Sequence, residues 1–206
     1  MEDVLEVYHR PYDPAYPVVC MDESNKQLVA DIAQAIPCAP GKPKRIDHEY
    51  VRKGVAEIFL ATEPLTGAVA SRITERRTRK DWAEFIKYLL ECRYPDAHKG
   101  VLVMDNLNTH GIASLYATYP PDEAFRLSSR LEIHYTPKHG SWLNIAEIEL
   151  SALSVQCLDR RFEDVGVLAT EVAAWEVQRN ARNKPINWQF TTADARIKLK
   201  SIYPQI

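Results

Sequence analysis

Short apolar runs bounded by turn residues recur along the chain, and they predict the strands of a sheet. Such runs lie at residues 17–23, 55–61, 68–74 and 101–104. An alternating stretch at 131–135 predicts a fifth strand. The second and third strands are separated by a turn that ends in a glycine, which is typical of a hairpin.

Apolar residues at helical spacing predict helices between the later strands and after the last one. The first helix follows Thr78, because Thr78-x-x-Asp81 resembles a capping box, and it ends before Pro95. Residues 112–130 are predicted to be helical around a break at two prolines. The two helices after residue 142 have apolar stripes formed by Leu143, Ala146, Leu150, Leu153 and Cys157, and by Val165, Leu168, Val172 and Trp175.

Two segments are predicted to lack regular structure. Residues 1–15 are interpreted as a loose lead-in because prolines interrupt them, and residues 24–53 as a long polar loop broken by three prolines. The predicted order is therefore β-β-β-α-β-α-β-α-α. This order favours an α/β fold, a five-stranded mixed sheet with helices on both faces.

The composition fits one soluble domain with a sizeable core. The chain has 206 residues, of which 26% are charged and 46% apolar, and its formal charge of −2 neither favours nor excludes nucleic acid. Four cysteines without a C-x-x-C pair are typical of reduced thiols. No apolar run approaches the ~20 residues of a membrane span, so a cytoplasmic protein is expected.

Two aspartates, Asp22 and Asp105, each follow an apolar strand directly. An unpaired carboxylate near a core is costly, and a hard cation such as Mg²⁺ compensates it with oxygen coordination. A third acid is then expected, and Glu147 on a later helix is the leading candidate. Aspartate is also common after a strand as a turn former or helix cap. From these residues alone, a metal site and a structural role both stay open.

Three segments resemble the catalytic core of a bacterial insertion-sequence transposase. They are Val-Cys-Met-Asp22-Glu, Val-Met-Asp105-Asn-Leu-Asn-Thr-His110, and the stretch from Tyr135 to Glu147 with its Asn144-x-x-Glu motif. The resemblance is to the 630 family of insertion sequences, related to mariner elements, and it spans roughly residues 16 to 203. It implies a ribonuclease-H-like (retroviral-integrase-like) fold with an Asp-Asp-Glu site.

The resemblance assigns Asp22, Asp105 and Glu147 as the catalytic and metal-binding residues. It implies two Mg²⁺ (or Mn²⁺) ions and two-metal cleavage and transfer of DNA strands. Helical periodicity does not choose between Glu147 and Glu149, which flank the same apolar stripe, whereas the motif chooses Glu147. The sequence departs from the family in lacking a proline after Asn144 and in having 41 residues between Asp105 and Glu147.

Other residues are weaker candidates for DNA contact. Asn106 and His110 either contact phosphate or orient Asp105, and His110 is alternatively a helix-start residue bonded to the backbone. Lys138 and His139 lie in the loop before the catalytic helix, where phosphate contact and plain solvation are equally favoured. The basic run that includes Arg76 and Arg77, and the segment Lys42-Pro-Lys44-Arg45, are further candidates, although charge runs are usually solvated.

The resemblance also sets expectations about organisation and partners. Residues 16–206 are expected to form the catalytic domain, without the upstream helix-turn-helix modules that read the element ends, and to act on double-stranded DNA as a homodimer. The alternatives are another ribonuclease-H-like nuclease, and a catalytically silent or domesticated DNA-binding fragment. Because three clustered carboxylates repel one another without metal, Asp105→Asn is expected to leave the fold intact or slightly stabilised.

Overall fold

A five-stranded mixed sheet forms the centre of the computed structural model, which describes residues 1–33, 36–43, 45, 48–138 and 140–200. Its order is β3-β2-β1-β4-β5, with antiparallel pairing among the first three and parallel pairing of β4 with both neighbours. This confirms the predicted sheet. The strands are β1 (Val18–Asp31), β2 (Tyr50–Glu63), β3 (Ala68–Thr74), β4 (Gly100–Met104) and β5 (Leu131–Tyr135).

Helices cover both faces of this sheet, as predicted. Thr78 caps α2 through the expected capping box with Asp81, and Pro121 occupies the first turn of α4. Single π-helical turns extend α2 and α5 at their carboxyl ends. The described helices are α1 (Glu2–Tyr8), α2 (Arg79–Tyr88), α3 (Ile112–Thr118), α4 (Pro121–Ser129), α5 (Ala146–Leu153), α6 (Val165–Arg182) and α7 (Thr192–Lys198).

Strand alternation divides the core into two layers. On β1, Cys20 packs in the layer covered by α1, α5, α6 and α7, whereas Met21 packs in the layer covered by α2, α3 and α4. Because successive side chains point to opposite faces, Asp22 and Glu23 continue this alternation toward different layers. The two acids that follow the apolar part of β1 therefore lie on opposite faces of the sheet.

The first two strands are longer than the sequence pattern predicts. β1 and β2 remain paired out to Asp31 and Tyr50, with a bulge between Leu28 and Val29. The prediction that residues 24–53 form one loop was therefore wrong for both of its ends. The strands extend further because main-chain hydrogen bonds hold a two-stranded ribbon together even where the side chains are polar and exposed.

The amino-terminal segment was also predicted incorrectly, because Glu2–Tyr8 forms helix α1. Val4 and Leu5 are fully buried, and the Tyr8 hydroxyl donates a 2.6 Å hydrogen bond to the Leu143 carbonyl. The prolines of this segment fall after the helix and do not interrupt it. Within the described part of the chain, no helix combines the length and apolar character that crossing a membrane requires.

Candidate active site

Two neighbouring parallel strands bring Asp22 and Asp105 to one edge of the sheet. β1 and β4 pair in register up to Cys20 and Val103, and each aspartate lies two residues further along its strand direction. Asp105 directly follows the last residue of β4, whereas β1 continues past Asp22 to Asp31, paired with β2. The two carboxylates therefore lie on adjacent strands just beyond the parallel β1–β4 pairing, at the carboxyl end of β4, where ligands of α/β folds gather.

Asn144 connects Asp22 to the start of helix α5. Its buried side-chain amide donates to the Met21 carbonyl at 2.8 Å and to Asp22 Oδ2 at 3.1 Å. Its Oδ1 accepts a hydrogen bond from the Ala146 amide at 3.2 Å, at the first turn of α5. One side chain thus orients a carboxylate and fixes the helix that follows. The sequence motif contained Asn144, but nothing in the motif assigned it this role.

Glu147 and Glu149, which periodicity could not separate, have opposite environments. Glu147 is exposed, and it lies close enough to Asp22 to act on that carboxyl group electrostatically. The Glu149 side chain is 1% exposed and forms two 2.7 Å hydrogen bonds to the guanidinium of Arg179 on α6. Glu149 is therefore engaged in packing α5 against α6, and Glu147 is the one of the two that acts on Asp22.

Charge is concentrated at this edge of the sheet. Burial raises the pKa of Asp22 to about 6, partly offset by the Glu23 backbone amide, and the nearby carboxylates of Glu23, Glu147 and Asp105 raise it further. The hydrogen bond from His110 lowers the pKa of Asp105 below its usual range, and the guanidinium of Arg77 adds to that effect. Asp22 is thus the acid with uncompensated charge.

His110 lies between two carboxylates. Its Nδ1 is 2.6 Å from Asp105 Oδ1, and its Nε2 is 2.5 Å from Glu23 Oε1. Burial disfavours the charged ring, but the contacts with Asp105 and Glu23 outweigh burial and raise the pKa of His110 to about 9. Both ring nitrogens face carboxylates, so this geometry favours orientation of Asp105 over contact with a DNA phosphate.

The remaining candidate DNA-binding residues lie mostly at the surface. Asn106 and Lys138 are exposed on loops beside the site, and Arg76 and Arg77 are exposed between β3 and α2. Arg77 lies close enough to influence Asp105 electrostatically, although the sequence indicated no such proximity. His139 lies outside the described residues, as does Lys44 of the other basic segment.

The sequence profile described as "DDE superfamily endonuclease" matches residues 17–169, which is most of the chain and includes all three acids. The chain belongs to the DDE superfamily endonucleases. A comparison of this DDE chain with curated protein sequences gives no match.

The DDE chain is similar in fold to solved complexes of the Mos1 transposase. These are the Mos1 mariner paired end complex with Mn (TM-score 0.54), the Mos1 strand transfer complex (0.58) and the paired-end complex with left transposon end (0.58). Sequence identity is 14% in each case. The alignments cover 88% of this chain but between 54% and 56% of the Mos1 chains, so this chain spans about half their length. The likeness confirms the ribonuclease-H-like fold class.

Among the described residues, two groups of side chains are candidates for binding a metal ion, and they differ in geometry. Asp22, Asp105 and Glu147 offer only carboxylate oxygens, the donors that Mg²⁺ and Mn²⁺ prefer, and a cation would stabilise the ionised form of Asp22, whose pKa is raised by burial and by the neighbouring carboxylates. Glu23, Asp105 and His110 also offer ligand atoms within 4.8 Å of one another. In this second group, however, Glu23 and Asp105 contact opposite nitrogens of the His110 ring. One ion cannot take the place of both contacts, because the two nitrogens point in opposite directions. As it stands, the second group therefore offers no single position for one ion between its three side chains.

Proposed function

We propose that this chain is the catalytic part of a bacterial insertion-sequence transposase, and that it cleaves DNA at element ends and joins those ends to target DNA. This proposal is supported by the neighbouring parallel strands from which Asp22 and Asp105 extend, and by Glu147 on α5, which is close enough to Asp22 to act on it electrostatically. The resemblance of its motifs to the 630 family of insertion sequences supports the finer assignment.

In this proposal Asp22, Asp105 and Glu147 bind two Mg²⁺ or Mn²⁺ ions. When bound there, such ions would supply Lewis-acid activation of the attacking oxygen and charge stabilisation of the leaving oxygen of a phosphodiester. Asn144 keeps Asp22 Oδ2 oriented, and the exposed Glu147 completes the set from the helix side. Attack of water on phosphorus breaks the bond to the 3′-oxygen, which leaves a 3′-hydroxyl and a 5′-phosphate. That 3′-hydroxyl then attacks the phosphorus of a target phosphodiester in the same site. A new ester bond joins the element end to the target 5′-phosphate, the bond to the target 3′-oxygen breaks, and that oxygen leaves as a 3′-hydroxyl with the proton given up by the attacking hydroxyl.

Double-stranded DNA is the proposed substrate and a second copy of the protein the proposed partner. Arg77 is exposed and close enough to Asp105 to act on it electrostatically, and Arg76 and Lys138 are further exposed cationic side chains, so these three are the proposed phosphate contacts. Asn106 lies next to Asp105 and is exposed, which suits a further backbone contact. Two of the solved Mos1 structures are paired-end complexes, one with Mn and the other with the left transposon end.

Metal-dependent nicking of supercoiled plasmid tests this function directly. We expect Mn²⁺ or Mg²⁺ to be required and Glu147→Gln to lower the rate by several orders of magnitude. Glu149→Gln is the matched control on the same helix, and it should retain most of the activity at a temperature where it is folded. Product ends should be substrates for a DNA polymerase, because the proposed reaction leaves 3′-hydroxyls.

Two outcomes would favour the alternatives. Cleavage of the RNA strand of an RNA–DNA hybrid without plasmid nicking would indicate another ribonuclease-H-like nuclease. Metal-independent DNA binding with no cleavage by the wild-type chain, also when joined to helix-turn-helix modules, would indicate a silent or domesticated fragment. Loss of activity in Glu149→Gln and retention in Glu147→Gln would show that the motif selects the wrong acid.

A further inference from the structure

Glu23 is a buried carboxylate whose environment the catalytic triad does not explain. It follows Asp22 on β1, but strand alternation turns it toward the layer that contains α2. Its side chain is 1% exposed, and among the described residues no well-aligned hydrogen-bond donor reaches either of its oxygens. A carboxylate in such a place is costly unless it is paired. Its one close charged contact there is His110 Nε2, at 2.5 Å.

Surrounding groups determine the orientation of His110. The imidazole stacks on the fully buried indole of Trp82, with ring centroids 6.1 Å apart and planes inclined by 21°. The Tyr135 hydroxyl donates to the His110 carbonyl at 3.3 Å, and the His110 amide donates to the Leu107 carbonyl at 2.8 Å. Glu23 then sets the direction of Nε2, so the opposite nitrogen, Nδ1, points to Asp105.

The contact with Asp105 leaves room for a metal ion. His110 Nδ1 is 2.6 Å from Oδ1, while the Asp105 side chain as a whole remains 45% exposed. A buried side chain therefore fixes the rotation of a carboxylate that still faces the solvent at the edge of the sheet. Partners of this kind, which lie one step beyond the metal ligands, commonly orient those ligands.

We propose that Glu23 is a positioning residue of the active site, which acts through His110 to orient the Asp105 carboxylate toward the metal ions. The inference rests on the proposed function, because it assumes that Asp105 binds metal. It gives a role to Glu23, which follows the first aspartate in its motif, through His110, which follows the second aspartate by five positions.

The test measures Mn²⁺ binding to the whole chain, with free Mn²⁺ quantified by electron paramagnetic resonance. His110→Gln should weaken Mn²⁺ binding by about 10–100-fold, the usual effect of removing a residue that orients a ligand. Glu23→Gln should weaken it in the same direction by several-fold. If His110 contributed only its positive charge, its removal would tighten binding instead, because a neighbouring cation repels the metal. Unchanged or tighter binding in His110→Gln would overturn the proposal.

His134 provides a matched control elsewhere in the fold. Its ring also contacts two carboxylates, Asp3 at 2.8 Å and Glu132 at 2.9 Å. His134→Gln thus removes a similar pair of contacts on β5, and we expect Mn²⁺ affinity within about two-fold of wild type, since orienting effects are confined to groups that contact a ligand. An equal loss in His134→Gln and His110→Gln would indicate a general effect on folding and would overturn the proposal.

A double variant keeps the test decisive if His110→Gln is poorly folded, because Glu23→Gln/His110→Gln removes the unpaired charge as well. If His110 only neutralises Glu23, stability and metal affinity should both return, whereas the proposal expects stability to return and affinity to stay low.

Asp105→Asn distinguishes a failure of the proposed metal site from a failure of the positioning role. If it binds Mn²⁺ like wild type, the proposed metal site itself is wrong; if it loses binding while His110→Gln does not, only the positioning role fails.

Discussion

Asp22 and Asp105 should respond in opposite ways when their charge is removed from the metal-free protein. Burial raises the pKa of Asp22 to about 6 from an ordinary value of 3.8, so its ionisation opposes folding. The hydrogen bond from His110 lowers the pKa of Asp105, so its ionisation favours folding. The expectation from sequence that Asp105→Asn is neutral or stabilising is therefore reversed, and it applies to Asp22 instead.

The size of the Asp22 effect follows from its pKa. For a fully buried group, a pKa raised from 3.8 to about 6 corresponds to roughly 3 kcal/mol of lost stability above pH 6. Asp22 is only partly buried, and an asparagine there cannot accept from both the Glu23 amide and the Asn144 side chain, which costs about 1 kcal/mol. We expect Asp22→Asn to stabilise the protein by roughly 1–2 kcal/mol, or roughly 2–8 °C in Tm for a chain of this length.

Asp105→Asn should instead destabilise the protein. It replaces the carboxylate that pairs with His110, but the Asp105 side chain is 45% exposed and solvent screens the interaction. A loss of about 1 kcal/mol is therefore expected, with Tm lower by about 2–4 °C. The two variants should differ in the sign of the change, which is easier to measure than its size.

Thermal unfolding in the presence of EDTA, followed by circular dichroism across a pH series, measures both effects. An acid with a raised pKa destabilises the fold as pH rises from its unfolded to its folded pKa, so the advantage of Asp22→Asn should grow between about pH 4 and pH 6 and then level off. At about pH 4 and below it should disappear, because the wild-type carboxyl group is then protonated in both states. If Asp22→Asn lowers Tm at high pH as much as Asp105→Asn does, the assignment of uncompensated charge to Asp22 is refuted.

Three further measurements test particular contacts and the DNA interaction. Glu149→Gln should lower stability by roughly 2–4 kcal/mol in denaturant unfolding, because it breaks the buried pair with Arg179. Gly67→Ala should cost about 1–3 kcal/mol more than Gly41→Ala: both have positive φ, but a Cβ at Gly67 would lie 2.5 Å from the Lys184 backbone, whereas nothing described lies within 4 Å at Gly41. DNA binding by this chain should be weak, little dependent on sequence and strongly salt-dependent; a salt-independent Kd would contradict phosphate contacts.

Local patterns in the sequence were sufficient to predict the strands that deliver the two aspartates. Val101 to Met104 is a short apolar run that ends at a polar residue, and such a run is typical of a buried strand whatever its neighbours are. The capping box at Thr78 is equally local, since both of its hydrogen bonds lie within four residues. The alternation between strand and helix periods then indicated the mixed sheet, and the motif around Asn144 selected Glu147, which stays a prediction.

Contacts between distant segments decided the rest, and no local pattern reports them. A seven-residue helix such as α1 is marginal on its own, so it exists because Val4 and Leu5 are buried against distant elements. What distinguishes Glu149 from Glu147 is its hydrogen bond with Arg179, which lies thirty residues later on α6. Likewise, Glu23 and His110 lie 87 positions apart in the chain and meet because β1 pairs with β4. The sequence by itself determined which acids follow the apolar runs of the strands, whereas tertiary packing decided which of them are paired, which are exposed, and which orient the others.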